Sequence, residues 1–217
     1  MDRIILGGSD GAIEGLATTA ALNGAGVGFG TIAVAGLAFA VAGALSMFFS
    51  NYLSRKSEID SLKIDATRER MEIETEPEEE RNEMRALLAQ DGYAPGEVDV
   101  VMGRLEKDKD LWLREMLRRE LRVNPEDAKG SPFTRPVSAG SAFFLLALLA
   151  VTPYAFALPR SSALLASVAL SIFALFALGS RMFVPRNFRP VAGLESSLIG
   201  AIAGGLLFFV GILISRL

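Results

Sequence analysis

GLATTAALNGAGVGFGTIAVAGLAFAVAGALSMFFSNYLS, residues 15–54, runs for forty positions without an Asp, Glu, Lys or Arg. A helix that crosses a bilayer needs about 20 apolar residues, so this block holds two crossings. They divide at NGAGVGFG, residues 23–30, where four glycines and an asparagine suit a tight hairpin. Three further stretches, 136–159, 161–180 and 196–215, are also free of these four residue types, and each has room for one crossing. The expected fold is an all-α membrane protein with five transmembrane helices and a helical subdomain inserted between spans two and three. Residues 1–54 carry spans one and two, 55–135 the inserted subdomain, and 136–217 spans three to five.

The totals agree with a membrane class: 51% of the 217 residues are hydrophobic, although 22% are charged. Residues 1–22 do not read as a cleavable signal peptide, because Asp10 and Glu14 interrupt the apolar stretch such a peptide requires. Orientation follows from the basic residues, which are retained on the cytoplasmic side of span ends. Sixteen of the 22 Lys and Arg fall in 55–135, and Arg3, Arg181, Arg186 and Arg189 are expected on the same side, leaving Arg160 and Arg216 for the other. The N-terminus and the inserted subdomain are therefore expected in the cytoplasm and the C-terminus across the membrane.

The chain has no cysteine and no histidine. That excludes disulfides, thiolate or imidazole metal sites, and Cys- or His-based catalysis. No Ser-Lys pair lies within a span, so an intramembrane enzyme is not the reading. The net charge of −3 conceals a division, since 55–135 holds 21 of the 25 acids against 16 bases. An acidic surface of this kind is a poor partner for nucleic acid.

Within that subdomain, RERMEIETEPEEERNEMR at 68–85 concentrates glutamate. No Gly or Pro lies between Ser50 and Thr75, so span two is expected to continue as one helix into the subdomain. Pro77 then opens a second helix with carboxylates in its first turn, closing at Asp91-Gly92. Further helices fit Pro95 to Glu106 and Asp110 to Leu121. Pro125, Gly130, Pro132 and Pro136 read as a linker back to the membrane, and VPRNFRP at 184–190 as a turn.

Glu69, Glu72, Glu80 and Glu83 form two ExxE pairs, each placing two carboxylates on one helix face. Two such pairs flanking a break can share a cation if their helices fold together. The competing reading is a solvated acidic face, neutralised locally by Arg68, Arg70, Arg81 and Arg85. Met116 and Glu120, four apart, could add a thioether and a carboxylate; alone they read as core packing and surface charge. Inside the membrane, Asp10 and Glu14 are costly and mark a candidate ion or proton path, with a helix cap as the alternative for Asp10. Met47, near the end of span two, brings a thioether that suits Fe2+ better than Mg2+ or Ca2+, and its alternative is simple packing. Ala33, Ala35, Gly36, Ala40 and Gly43 suggest close helix packing along span two.

Taken together, these pieces resemble the vacuolar iron transporters. The match carries SDG followed by TT in span one, SMFFSNYLS at the end of span two, the glutamate run, WLREMLRREL at 112–121, PY at 153–154 and GLE at 193–195. The resemblance implies a homodimer in the lipid bilayer that exports Fe2+, and Mn2+ as a further substrate, from the cytoplasm in exchange for protons. No prosthetic group is implied. It assigns Asp10 and Met47 to an ion pathway, where Glu14 is an additional carboxylate, and makes Glu69, Glu72, Glu80, Glu83, Met116 and Glu120 metal ligands. Ser50-Asn51-Tyr52 departs from the Gly-Glu-Tyr common in that family. The implied location is the inner membrane of a bacterium, or a vacuolar or other organelle membrane of a eukaryote. The alternative is a membrane-anchored metal-binding or sensing protein that does not transport.

Overall fold

A computed structural model describes the chain apart from residues 1, 125, 127–129, 157, 183 and 185–187, and gives only the backbone of Asp2 and Arg3. Pro125 of the expected linker, the centre of the expected 184–190 turn and Arg186 lie outside the described residues. Among those described are eight α-helices and no strand: α1 Asp2–Gly24, α2 Phe29–Thr75, α3 Pro77–Gln90, α4 Pro95–Leu105, α5 Lys109–Arg119, α6 Thr134–Val151, α7 Arg160–Gly179 and α8 Pro190–Ile214. A 3-10 turn, Thr152–Ala155, extends α6. The chain forms two compact units, Met1–Tyr52 with Phe133–Leu217, and Leu53–Pro132, so that α2 contributes to both.

Among the described residues, four helices are long and apolar enough to cross a membrane: α2, α6 with its 3-10 extension, α7 and α8. The first helix has the length, 23 residues, but Asp10, Glu14 and its glycines make it less apolar than the others. It nevertheless packs against α6, α7 and α8 in the first unit. Gly7, Gly11 and Gly15 on α1 face Ala139, Phe143 and Ala147 on α6, a four-residue spacing on both helices; a Cβ on Gly15 would stand 2.9 Å from the Ala147 Cα. Backbones that approach this closely gain dispersion contacts available only to small residues. On α2 the glycines meet side chains instead: Gly36 lies against Val151 and Gly43 against the Phe143 ring.

The hairpin between α1 and α2 turns at Gly26, whose φ of +75° favours a residue without a Cβ. Its carbonyls are served from the start of α7. Arg160 donates to the carbonyl oxygens of Asn23, Gly26 and Val27 at 3.3, 3.3 and 2.9 Å and lies over the Phe29 ring.

In the second unit, α3, α4 and α5 bury Met84 and Leu88, Val98, Met102 and Leu105, and Trp112, Leu113, Met116 and Leu117, with Ile73 of α2 in the same core. The spacings of three and four put these residues on one face of each helix. Pro77 and Pro95 open their helices, where a missing N–H costs nothing. The Asp108 side chain accepts from the Leu111 N–H at 3.0 Å and caps α5. Exposed ion pairs join the helices: Arg70–Asp110, Arg81–Glu106 and Arg85–Asp99 at 2.7, 2.7 and 2.8 Å, and Arg119–Asp91. Solvent screens such pairs and they contribute little, so the apolar core sets the arrangement.

Candidate metal centre

The second helix ends at Thr75, Glu76 leaves helical geometry, and Pro77 starts α3. This break brings the two ExxE pairs together. One carboxylate oxygen from each of Glu69, Glu72 and Glu80 lies within 4.8 Å of the others, and this is the only such group of three acids among the described residues. Glu69 and Glu80 are 1% and 7% exposed, far below what an unpaired carboxylate normally tolerates. Each keeps one buried oxygen, Oε1 of Glu69 and Oε2 of Glu80, with no hydrogen-bond partner.

Burial pushes the Glu69 carboxyl up to about 8, with the charges of Glu120 and Glu80 adding to the shift. Glu80 is also raised, chiefly by burial, against the opposing effect of its hydrogen bond with Glu69; Glu83, Glu72 and Glu120 raise it further. Burial first, then Glu120 and Glu72, raises Glu83. Five expected ligands, Glu69, Glu72, Glu80, Glu83 and Glu120, thus act on one another electrostatically. The sixth, Met116, is fully buried in the apolar core one turn before Glu120, which sits at the C-cap of α5.

The four arginines that could neutralise this cluster mostly turn elsewhere. Arg70 pairs with Asp110, Arg81 with Glu78 and Glu106, and Arg85 with Asp99. Arg68 alone reaches a cluster member, Glu72, at 3.7 Å. Crowded carboxylates with so little neutralisation favour bound protons or a bound cation, and an all-oxygen set of this kind suits a divalent metal.

In the first unit, Asp10 is half-buried on α1, and Glu14, one turn later, is exposed. No third acid joins them among the described residues. Met47 is half-buried on α2 and packs beside Ala40, Phe143 and Ala147. Its sulfur has a polar neighbour: Asn51 Nδ2 donates to the Met47 carbonyl oxygen at 2.8 Å and to Sδ at 3.2 Å.

Sequence reading missed a buried polar row between α1, the 3-10 turn and α7. Thr19 Oγ1 lies 3.4 Å from Ser167 Oγ, Ser167 donates to the Ala150 carbonyl at 2.8 Å, and Asn23 donates to the Tyr154 hydroxyl at 3.3 Å. Asn23 was expected only as a turn residue. The available signal was spacing, since Thr19 and Asn23, like Ser167 and Ser171, stand four apart within apolar helices.

The VIT family model matches residues 1–212 of the chain. A vacuolar iron transporter of Centaurea cyanus is 36% identical over 209 residues, covering 94% of this chain and 84% of that protein. Vacuolar iron transporter 1 of Arabidopsis thaliana is 35% identical over 209 residues, covering 94% and 82%, and vacuolar iron transporter 2 of Oryza sativa subsp. japonica is 33% identical over 212 residues, covering 94% and 83%. A family match over nearly the whole length, with relatives above 30% identity, leaves one conclusion: the chain belongs to the VIT family.

Proposed function

We propose that the protein exports Fe2+, with Mn2+ as a second substrate, from the cytoplasm in exchange for protons. Members of the VIT family are transporters rather than enzymes, and the curated relatives are named for iron. The observation that carries the reading is the convergence of Glu69, Glu72 and Glu80 on a point that three of the four nearby arginines do not serve. Glu83, Glu120 and Met116 complete the ligand set, which gathers metal before it enters the membrane.

In this reading α1 is the fifth span. Asp10 and Met47 line the route with Glu14 as an additional carboxylate, and two copies form the working dimer. The N-terminus and the acidic unit face the cytoplasm, in an organelle membrane or, in a bacterium, the inner membrane. The test is uptake of Fe2+ and Mn2+ into proteoliposomes of the purified protein, with and without a pH gradient. Gradient-dependent accumulation is expected. Saturable metal binding without any flux would replace transport with the membrane-anchored sensor.

A further inference from the structure

We propose that Asn51 is a positioning residue that holds the Met47 thioether ready for metal, an inference that rests on placing Met47 in the ion route. Asn51 is 8% exposed on α2, one turn beyond Met47. Its amide nitrogen carries two protons and finds two acceptors on the same residue, the carbonyl oxygen at 2.8 Å and Sδ at 3.2 Å.

The carbonyl bond alone does not require asparagine. Hydroxyls make the same contact four residues back at several places in this chain, including Thr19 to Gly15, Thr67 to Lys63 and Ser196 to Ala192, at 2.9, 2.8 and 2.9 Å. What the longer amide adds is the sulfur. Methionine has three rotatable bonds and otherwise moves its thioether among many rotamers. A donor on one sulfur lone pair fixes the side chain and leaves the second lone pair to ligate. The sulfur is then a pre-placed soft ligand, and the cost of ordering it does not fall on metal binding. Carboxylates serve Mn2+ as well as Fe2+, whereas a thioether favours the softer ion. Asn51 therefore acts on the preference for Fe2+ over Mn2+ through Met47.

The test is anaerobic transport in proteoliposomes, read as kcat/KM for Fe2+ and for Mn2+ separately, in the full-length protein. Asn51→Leu keeps the bulk without a donor. Asn51→Ser restores the carbonyl bond but does not reach the sulfur. Both are expected to raise the Fe2+ KM about threefold to tenfold, the range for re-ordering one flexible side chain, with a smaller effect on Mn2+. Placed on Met47→Leu, neither is expected to change the Fe2+ to Mn2+ ratio further. If Asn51→Leu folds poorly, Asn51→Ser carries the measurement. An unchanged ratio with Met47 present, or an equal change in the Met47→Leu background, would overturn the proposal. Met47→Leu with unaltered selectivity would remove Met47 from the route and the proposal with it. A wild-type protein that moves neither metal would instead defeat the transport reading.

Discussion

Glu69 and Glu80 bring carboxylate oxygens within 4.8 Å of each other across the Pro77 break, and each buries an oxygen that finds no partner. Burial first, then the charges of Glu120 and Glu80, push the Glu69 carboxyl up to about 8, which favours a proton on this pair when no metal is bound. The stability consequence has a definite sign. A carboxyl whose folded pKa exceeds its unfolded value of 4.5 contributes stability that is complete below 4.5 and lost as pH rises through about 8. In chelator, the thermal midpoint of the second unit should therefore fall between pH 5 and 8. The loss is on the order of a few kcal/mol, at about 1.4 kcal/mol per pKa unit. Glu69→Gln should flatten this dependence, and a wild-type midpoint flat or rising over that window would contradict it.

Metal should reverse the loss. A cation that binds only the folded cluster stabilises it by about 2.7 kcal/mol at a hundredfold excess over its Kd. Mn2+ or Co2+ should therefore raise the midpoint of the full-length protein with a saturable calorimetric stoichiometry. Changing Glu69, Glu72, Glu80 and Glu83 together to Gln should remove both effects while the metal-free protein stays folded. Weak association that fades with added salt and never saturates would indicate a solvated acidic surface instead.

Asp10→Asn keeps the shape of a half-buried side chain on α1 and removes its charge. Transport should drop about tenfold, the loss expected when a group contributing about 1.4 kcal/mol to the limiting step is removed. Asp10 lies inside α1 rather than at its start, which removes the helix-cap alternative; full activity of Asp10→Asn would show that its charge is not part of the route. Flux and detergent-solubilised yield, measured together, separate lost function from lost folding.

Gly11→Ala tests the seam between α1 and α6. The added Cβ would stand 2.8 Å from the Phe143 Cα, and backbone cannot step aside as a side chain can. A loss of about 1–3 kcal/mol is expected from such overpacking. Gly205→Ala, where a Cβ meets nothing within 4 Å, is the comparison and should leave the midpoint unchanged or raise it. Equal effects at the two positions would show that α1 is not held by this close approach.

What the sequence disclosed was local. The uninterrupted stretch from Ser50 to Thr75 read as the continuous α2 that is observed, and Pro77 read as the start of α3. The glutamate spacing was visible because a helix repeats every few residues, whatever surrounds it. The arginines were not, since Arg81 reaches Glu106 and Arg70 reaches Asp110, choices made by tertiary packing. Composition read α1 as a crossing although Asp10 and Glu14 lower its hydropathy, and the glycine row that binds it to α6 has meaning only once α6 is opposite. Asn51 read as a departure at one position. Its contact with the Met47 sulfur depends on a side-chain rotamer that no sequence pattern encodes.

The Asn23 carbonyl has a local donor in the Gly26 N–H, but those of Gly26 and Val27 depend on a guanidinium 134 and 133 positions further along the chain. During synthesis the first hairpin is thus complete as a sequence well before it is complete as a structure. At ribosomal speed the interval is on the order of ten seconds, during which water or lipid headgroups must serve those oxygens. Arg160 then displaces them. Closure at that end is a late event in biogenesis, timed by the arrival of α7 rather than by the emergence of the hairpin itself.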